Sequence, residues 1–358
     1  MKEQMGIIVL NNCYDFGKQI NQHLQRINKN NIDYIIPLDE VRFNNGEAKI
    51  VIKKTIRAKD VYIISDIANH SCSYKMFDYS NHMGPDEHFQ DIKRVISAIG
   101  GNASKITVVM PLLYASRQHK RKGRESLDCA IALQELERLG VKTIITFDAH
   151  DPNVQNAIPC LSFENFYPTH IILDKFIENE KVDYDNLLII SPDTGAMDRA
   201  RYYADMLNCD AGMFYKRRNL SKIVDGKNPV VAHEYIGPDM INKDIIVVDD
   251  MVASGGSILD VVNELNNRKA RSIYIFSTFT FFTNGVKDFE AVYKKGKINK
   301  FYTTNLSYIP EHVKQKEWFV EVDCSYFTAE IINTLNKHGS LSPLLDRKSD
   351  ILNKINRD

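Results

Sequence analysis

An acidic pair precedes a loop of small residues in segment 244–260, which reads DIIVVDDMVASGGSILD. This order predicts a strand, the pair Asp249 and Asp250, a short loop, and then a helix. The loop consists of Ser254, Gly255, Gly256 and Ser257. Its backbone N–H groups, its hydroxyls and the positive end of the following helix could hold a phosphate. The two carboxylates would repel that phosphate, so we expect them to face sugar hydroxyls or a metal, and a sugar phosphate meets both requirements.

The same segment has a purely structural interpretation, an ordinary turn between strand and helix. The glycines would then serve the chain reversal, and the aspartates would cap the helix. The position of the acidic pair favours the functional interpretation, because ligands of open α/β sheets bind beyond the carboxyl ends of the strands.

The elements that must position this loop are indicated by short, continuous apolar runs. Such runs, typical of strands buried on both faces, lie at 61–64, 106–110, 143–147, 187–190, 245–248 and 272–276. Helical segments alternate with them, for example 126–139, which begins with Ser126 as a candidate N-cap and stops at Gly140. This alternation predicts an α/β fold with a mostly parallel sheet.

Both halves of the chain repeat one arrangement, a strand followed at once by acidic residues. It occurs at 147–150, which contains Asp148 and His150, and again at 248–250. A chain of 358 residues is also longer than one hydrophobic core usually supports. We therefore expect two related α/β domains, residues 1–168 and 169–358, joined near Tyr167 and Pro168.

The composition narrows the classes of partner. Lys plus Arg and Asp plus Glu are equal at 46 each, so the average field attracts neither nucleic acid nor an anionic membrane. No apolar run approaches the roughly 18 residues of a membrane span, and the N-terminus does not have the pattern of an export signal. The six cysteines form no CxxC pair. We expect a soluble cytoplasmic protein with reduced thiols and no nucleic-acid or membrane partner.

Segment 247–257 resembles the phosphoribosyl diphosphate motif of the phosphoribosyltransferase fold, and the chain from Phe43 to about Leu345 resembles one branch of it, the ribose-phosphate diphosphokinases. The matching blocks are FNNGE at 43–47, YASRQ at 114–118, FDAH at 147–150, SPDTG at 191–195, YKRR at 215–218 and the loop described above. The resemblance implies two tandem phosphoribosyltransferase-like domains. It also implies transfer of the diphosphate of MgATP to the C1 hydroxyl of ribose 5-phosphate, with AMP as the second product.

The resemblance assigns roles on the phosphate and metal side. Lys216 and Arg218 match the catalytic cations of a mobile loop that closes over the triphosphate; a solvated basic turn is the structural alternative. His150 matches a histidine beside the ATP phosphates and Mg²⁺, and Asp148 precedes it as a second candidate ligand. Asp193 matches a carboxylate that binds Mg²⁺, although it could equally cap the helix that follows.

Further roles concern the nucleotide. Arg117 and Gln118 match a pair that reaches ATP, and an arginine fork suits a polyphosphate. Phe43, Asn45 and Glu47 match a loop that holds adenine, although an Asn-Asn-Gly sequence is by default a hairpin turn. In the family a neighbouring subunit donates this loop, which implies a homo-oligomer, a dimer or larger, with a shared ATP site.

The chain departs from the family pattern in four places. Ala253 stands where many members have a third aspartate, and His119 stands where an acidic residue is usual. The stretch 71–88 is longer than its counterpart, lacks periodicity, and is interpreted as a loop or irregular insertion. Regulation by phosphate or ADP does not follow from the resemblance, because the basic loop after Gln118 is one residue short of the common pattern.

Two other functions compete with the diphosphokinase. One is a catalytically silent homologue that regulates an active partner; the presence of the loop cations, His150 and the acidic sites argues against it. The other is a phosphoribosyltransferase, which would consume phosphoribosyl diphosphate and would leave the blocks at Phe43 and Arg117 unexplained.

Overall fold

The computed structural model of the chain describes residues 4–218 and 230–355, without the side chains of 216–218 and 230–233. The strands are β1 Gln4–Val9, β2 Leu38–Arg42, β3 Ala48–Ile52, β4 Lys59–Ile64, β5 Ser73–Met76, β6 Tyr79–His82, β7 Lys105–Val109, β8 Thr143–Phe147, β9 Ser162–Phe166, β10 Leu187–Ser191, β11 Asp210–Arg218, β12 Val230–Ile236, β13 Asp244–Val252, β14 Ser272–Thr280, β15 Lys300–Thr304 and β16 Phe319–Val322. The helices are α1 Tyr14–Asn28, α2 Pro85–Ile99, α3 Asp128–Arg138, α4 Thr169–Asn179, α5 Met197–Leu207, α6 Gly256–Asn267, α7 Lys287–Lys294, α8 Glu311–Lys314, α9 Ser325–Asn336, α10 Ser342–Leu345 and α11 Lys348–Ile355. In these ranges no helix is long and apolar enough to cross a membrane.

The chain forms two compact units, each with its own hydrophobic core. The first contains residues 1–167 together with 305–308 and 323–345. The second contains 168–304, 309–322 and 346–358. The sequence-based division into 1–168 and 169–358 is contiguous, whereas the chain returns twice from the second unit to the first.

The first unit has a sheet of five parallel strands in the order β1-β4-β7-β8-β9. Strand order follows chain order, so this sheet has no point where the winding reverses. Two short antiparallel hairpins, β2–β3 and β5–β6, accompany it.

The second unit has a seven-stranded sheet in the order β12-β11-β10-β13-β14-β15-β16. All neighbours in it are parallel except β11 and β12. From β10 the chain winds outward through β11 and β12, and from β13 it winds outward in the opposite direction. The reversal between β10 and β13 is a topological switch point, where open α/β sheets bind their ligands.

The predicted α/β class and mostly parallel sheets are confirmed, and all six predicted strands are present as β4, β7, β8, β10, β13 and β14. Three local predictions were wrong. Strand β13 does not stop at Val248 but continues through the acidic pair to Val252, because β14 pairs with it as far as Thr280. Ser126 does not cap α3, which begins at Asp128. The stretch 71–88 is no irregular loop: it contains the hairpin β5–β6 and the start of α2.

Candidate functional site

The acidic pair lies at the switch point of the second unit. Register places Ile190 of β10 beside Val247 of β13, so Asp193, which follows β10, and Asp249, which lies within β13, are at the same end of adjacent strands. Asp250 is only 4 % exposed, and its backbone N–H donates a 2.9 Å hydrogen bond to Oδ1 of Asp249. Burial raises the pKa of Asp249 well above its usual value, and the charges of Asp250 and Asp193 raise it further. The structure therefore brings Asp193, which was predicted to bind Mg²⁺, close to the acidic pair that was predicted to bind the sugar.

Arg199 also belongs to this group, and the sequence analysis did not identify it. It lies in the first turn of α5, and its positive charge lowers the pKa of Asp249, opposing burial and the neighbouring carboxylates. The helix dipole disfavours a cation in the first turn of a helix. The position of Arg199 in the sequence therefore could have indicated a nearby carboxylate.

The glycine loop has two glycines with different surroundings. Gly255 has φ 87°, and a Cβ there would meet Cε2 of Phe289 at 2.4 Å, so both conformation and packing require glycine. Gly256 opens α6, and a Cβ there would meet nothing within 4 Å. Gly256, Ser257 and Ser254 are exposed. Since the first N–H groups of a helix have no intrahelical acceptor, this open face can receive an anion.

Asp193 follows β10 and caps the short turn Thr194–Ala196. Its Oδ1 accepts the N–H of Gly195 at 2.8 Å, and its carbonyl oxygen accepts the hydroxyl of Ser191 at 2.5 Å. Asp193 thus caps the short turn and not α5, whose N-cap is Ala196. Its role in Mg²⁺ binding stays a prediction.

Lys216 and Arg218 lie at the end of β11, and their side chains fall outside the described part of the structure. Ser191, the last residue of β10, is paired with Met213 of β11. Strand β11 therefore continues beyond the end of β10, and at 3.2–3.4 Å per residue the backbone of Lys216 lies about 10 Å farther along. Pairing of β11 with β12 supports this extension.

Arg117, Gln118, Asp148 and His150 belong to the first unit. Asp148 follows β8, is 4 % exposed, and has φ 42°, a conformation uncommon outside glycine and typical of functional sites. His150 is exposed, as are Arg117 and Gln118 of the short turn Ser116–Gln118. Around this turn lies a cavity of about 580 Å³ whose lining includes the cations Arg117, Lys120 and Lys122.

His119 contacts both the turn that contains Arg117 and the segment that contains His150. Its Nδ1 lies 2.9 Å from the carbonyl oxygen of Ser116, and its Nε2 lies 3.2 Å from Oδ2 of Asp151. Its ring contacts the ring of His150 at 5.3 Å between centroids. Burial acts to raise the pKa of Asp151, but hydrogen bonds from Asn153 and the charges of His119 and Lys120 outweigh burial and lower it. The residue that departs from the family pattern thus holds the Arg117 turn beside His150.

Phe43, Asn45 and Glu47 lie in the turn of the hairpin β2–β3, which confirms the predicted hairpin. Phe43 and Glu47 pair through the backbone, and Nδ2 of Asn45 donates to Oε2 of Glu47 at 3.0 Å. All three side chains are exposed, and Nζ of Lys49 lies 5.8 Å from the centre of the Phe43 ring. The turn therefore exposes one aromatic ring and one carboxylate.

No group of three or more His, Cys, Asp or Glu side chains within residues 4–218 and 230–355 is arranged to hold a metal ion. The predicted ligands His150 and Asp148 lie in the first unit, and Asp193 lies in the second. Magnesium is commonly bound through one or two carboxylates together with substrate phosphates, so a site completed by ATP does not need a full set of protein ligands.

Two family models match the chain in order. The N-terminal domain of ribose phosphate pyrophosphokinase matches residues 5–140, and the phosphoribosyl transferase domain matches residues 169–305. Together they cover more than half of the chain. The chain belongs to the ribose-phosphate pyrophosphokinase family. The predicted two-domain phosphoribosyltransferase-like architecture is thereby confirmed. The prediction that the chain is an enzyme is confirmed as well, because its curated relatives are named ribose-phosphate pyrophosphokinases.

Individual members of the family are distant in sequence but similar over most of their length. The ribose-phosphate pyrophosphokinase of Burkholderia pseudomallei is 27 % identical over 71 % of this chain and 74 % of its own. The enzyme of Bacillus caldolyticus is 26 % identical over 85 % of this chain and 88 % of its own. The enzyme of Nitrosomonas europaea is 23 % identical over 93 % of this chain and 94 % of its own. The crystal structure of phosphoribosylpyrophosphate synthetase from Mycobacterium smegmatis superposes with a TM-score of 0.77 at 18 % identity, covering 94 % of this chain and all of that one. This last similarity concerns the fold.

Proposed function

We propose that the chain catalyses transfer of the diphosphate of MgATP to the C1 hydroxyl of ribose 5-phosphate. The C1 oxygen bonds to the β-phosphorus, the bond from that phosphorus to the bridging oxygen of AMP breaks, and the hydroxyl proton is released. The observation that carries the proposal is the acidic pair beside an open glycine loop at the switch point of a ribose-phosphate pyrophosphokinase family member. Such a transfer depends on positioning and charge neutralisation more than on covalent help.

Ribose 5-phosphate would be bound in the second unit. The N–H groups and hydroxyls of residues 254–257 would hold its phosphate at the start of α6. Asp249 and Asp250 would accept hydrogen bonds from the ribose hydroxyls. The raised pKa of Asp249 supports this role, because hydroxyl donors would relieve the repulsion between the half-buried Asp249 and the buried Asp250.

ATP would be bound by residues of the first unit. Arg117 and Gln118 would contact the polyphosphate, and His150 and Asp148 would lie beside the phosphates and their Mg²⁺. The cationic lining of the cavity at Arg117 supports the phosphate assignment. Phe43 would stack on adenine, with Asn45 and Glu47 as polar partners.

Lys216 and Arg218 would neutralise the charge that develops on the transferred group, and Asp193 would bind Mg²⁺. The extension of β11 beyond the carboxyl end of β10 supports this role, because it carries both cations past the edge where Asp193 lies. When bound, Mg²⁺ would supply charge neutralisation at the phosphates of ATP.

The exposed turn of β2–β3 would complete the ATP site of another copy of the chain, so the active form would be a dimer or larger. Light scattering at assay concentration tests this. Full turnover by a strictly monomeric species would contradict the shared site.

The decisive experiment measures AMP formation that depends on both ATP and ribose 5-phosphate. The proposed enzyme gives AMP and phosphoribosyl diphosphate in equal amounts. A phosphoribosyltransferase gives AMP only from adenine and phosphoribosyl diphosphate. A silent homologue gives neither, but it changes the rate of an active family member when the two are mixed.

A further inference from the structure

The turn of hairpin β5–β6 lies directly against the turn of hairpin β2–β3. The backbone N–H of Phe77 donates a hydrogen bond to the carbonyl oxygen of Asn44 at 3.1 Å. Beside it, the thioether of Met76 covers Gly46 so closely that a Cβ on Gly46 would lie 2.8 Å from the sulfur. Gly46 also has φ 90°, which disfavours any side chain there. The two turns are thus joined by backbone and by packing.

The hairpin β5–β6 is itself fixed to α2. The hydroxyl of Tyr74 donates to Oε1 of Glu87 at 2.8 Å, and Nδ2 of Asn81 approaches the same oxygen at 3.4 Å. The other carboxylate oxygen of Glu87 accepts the N–H of Gly84 at 3.0 Å, which caps α2. Glu87 therefore holds both the helix start and the hairpin.

One face of β5 is half-buried and the other is exposed, as expected if only one face contacts the neighbouring elements. Tyr74 and Met76 are half-buried, whereas Ser73 and Lys75 between them are exposed. Arg42, at the end of β2, lies over the ring of Tyr74 at 5.3 Å. The strands of β2–β3 also pack on the core through Leu38, Ile50 and Ile52, so the contacts with β5–β6 bear on the turn rather than on the strands.

We propose that the hairpin β5–β6 is a brace that positions the turn 43–47 for ATP, with Tyr74 and Met76 as positioning residues. The inference rests on the proposed function, because it takes the turn to be the adenine-binding element. It gives a role to the insertion at 71–88 that the sequence analysis could not assign. Small displacements of a binding element are costly, so loss of the brace should weaken ATP rather than ribose 5-phosphate.

The first test removes the brace. The N–H of Met83 donates to the carbonyl oxygen of Cys72 at 2.9 Å, so the two residues already have the spacing of the residues that flank a two-residue turn. Residues 73–82 can therefore be replaced by Asn-Gly, the dipeptide that favours a type I′ turn. We expect the KM for ATP to rise about tenfold, as for a binding element displaced by a fraction of an ångström. The KM for ribose 5-phosphate should stay within about twofold of wild type, because its predicted site lies in the other unit.

Point variants keep the test independent of whether the shortened chain folds. Met76→Ser and Tyr74→Phe should each raise the KM for ATP about threefold or more, by the same loss of positioning. Lys75→Ala is the matched control on the exposed face of the same strand and should behave as wild type. Met76→Leu restores most of the packing volume and should restore the KM for ATP.

Different results would contradict the proposed brace and the proposed function. An unchanged KM for ATP in the folded excision variant and in both point variants would overturn the brace while leaving the activity intact. Absence of AMP formation by the wild-type chain would remove the proposed function instead. Hydrogen exchange then tests the brace without activity: the amides of residues 43–47 should exchange faster in the excision variant, and unchanged exchange would refute it.

Discussion

The backbone N–H of Asp250 donates to the side-chain carboxylate of Asp249, so two adjacent acidic residues are connected through the main chain within β13. This bond favours ionised Asp249, but burial and the charges of Asp250 and Asp193 prevail and raise its pKa. Like charges crowded in a buried site reduce stability unless a ligand offsets them. Under the proposed function, that ligand is ribose 5-phosphate.

Asp249→Asn should raise the free energy of unfolding at pH 7. A carboxyl whose pKa is raised on folding contributes its full stability below pH 3.8 and loses it as the pH rises through the folded-state pKa. The penalty is therefore present at pH 7, and its removal should stabilise by about 1–3 kcal/mol, the range for a poorly satisfied buried polar group. Urea denaturation at pH 7 and at pH 4 measures the difference. A gain that is equal at both pH values would show that repulsion is not the cause.

Asp250→Asn should weaken ribose 5-phosphate much more than ATP. The change removes a charge-assisted acceptor and keeps the size of the side chain, so a loss of about tenfold or more in sugar affinity is expected. Calorimetric titration with each substrate separately gives the two affinities. Unchanged affinity for ribose 5-phosphate would show that the pair does not hold the sugar.

The two glycines of the loop should respond differently to alanine. In Gly255→Ala the new methyl group meets Phe289 at a φ of 87°, so a loss of about 1–3 kcal/mol of stability is expected. Gly256→Ala has open space and should fold normally, but its methyl group would occupy the face proposed for the phosphate. Thermal unfolding and ribose 5-phosphate titration, applied to both variants, separate the effects. A stable Gly256→Ala variant with wild-type sugar affinity would exclude phosphate binding at this face.

Lys216→Ala should lower kcat about a hundredfold or more with a much smaller change in the KM for ATP. A cation that acts on the charge developing in the transition state affects kcat, whereas equal binding of both states would affect KM alone. Arg218→Ala should behave similarly, and Arg217→Ala is the neighbouring control. Steady-state kinetics decide: a raised KM with wild-type kcat would make these residues binding contacts only.

The sequence predicted the central strands well because parallel strands buried on both faces are continuous apolar runs, as in 143–147 of β8. The hairpin β5–β6 was missed because one of its faces is exposed and polar, and Lys75 and Ser80 weaken any apolar pattern. Its turn was no clearer, since Phe77 and Asp78 adopt positive φ without a glycine. Its position is accounted for by tertiary contacts, among them those of Tyr74, Met76 and Phe77.

The candidate site, too, was only partly predictable from the sequence. Asp249, Asp250 and the glycine loop are close in sequence and could be grouped from their spacing. The placement of Asp193 beside them depends on the pairing of β10 with β13, which the sequence does not specify. Arg199 and the contact between His119 and Asp151 likewise arise from the folded arrangement of separate segments.

The discontinuity of the first unit has a consequence for biosynthesis. Phe327 of α9 packs against Phe147 and Phe166, the last residues of β8 and β9, and Tyr326 packs against His23 of α1. Ribosomes complete β9 about 160 residues before these partners are translated. The nascent sheet therefore emerges with an uncovered aromatic face, a surface that chaperones bind and that promotes aggregation. Completion of the first unit therefore has to await translation of almost the whole polypeptide.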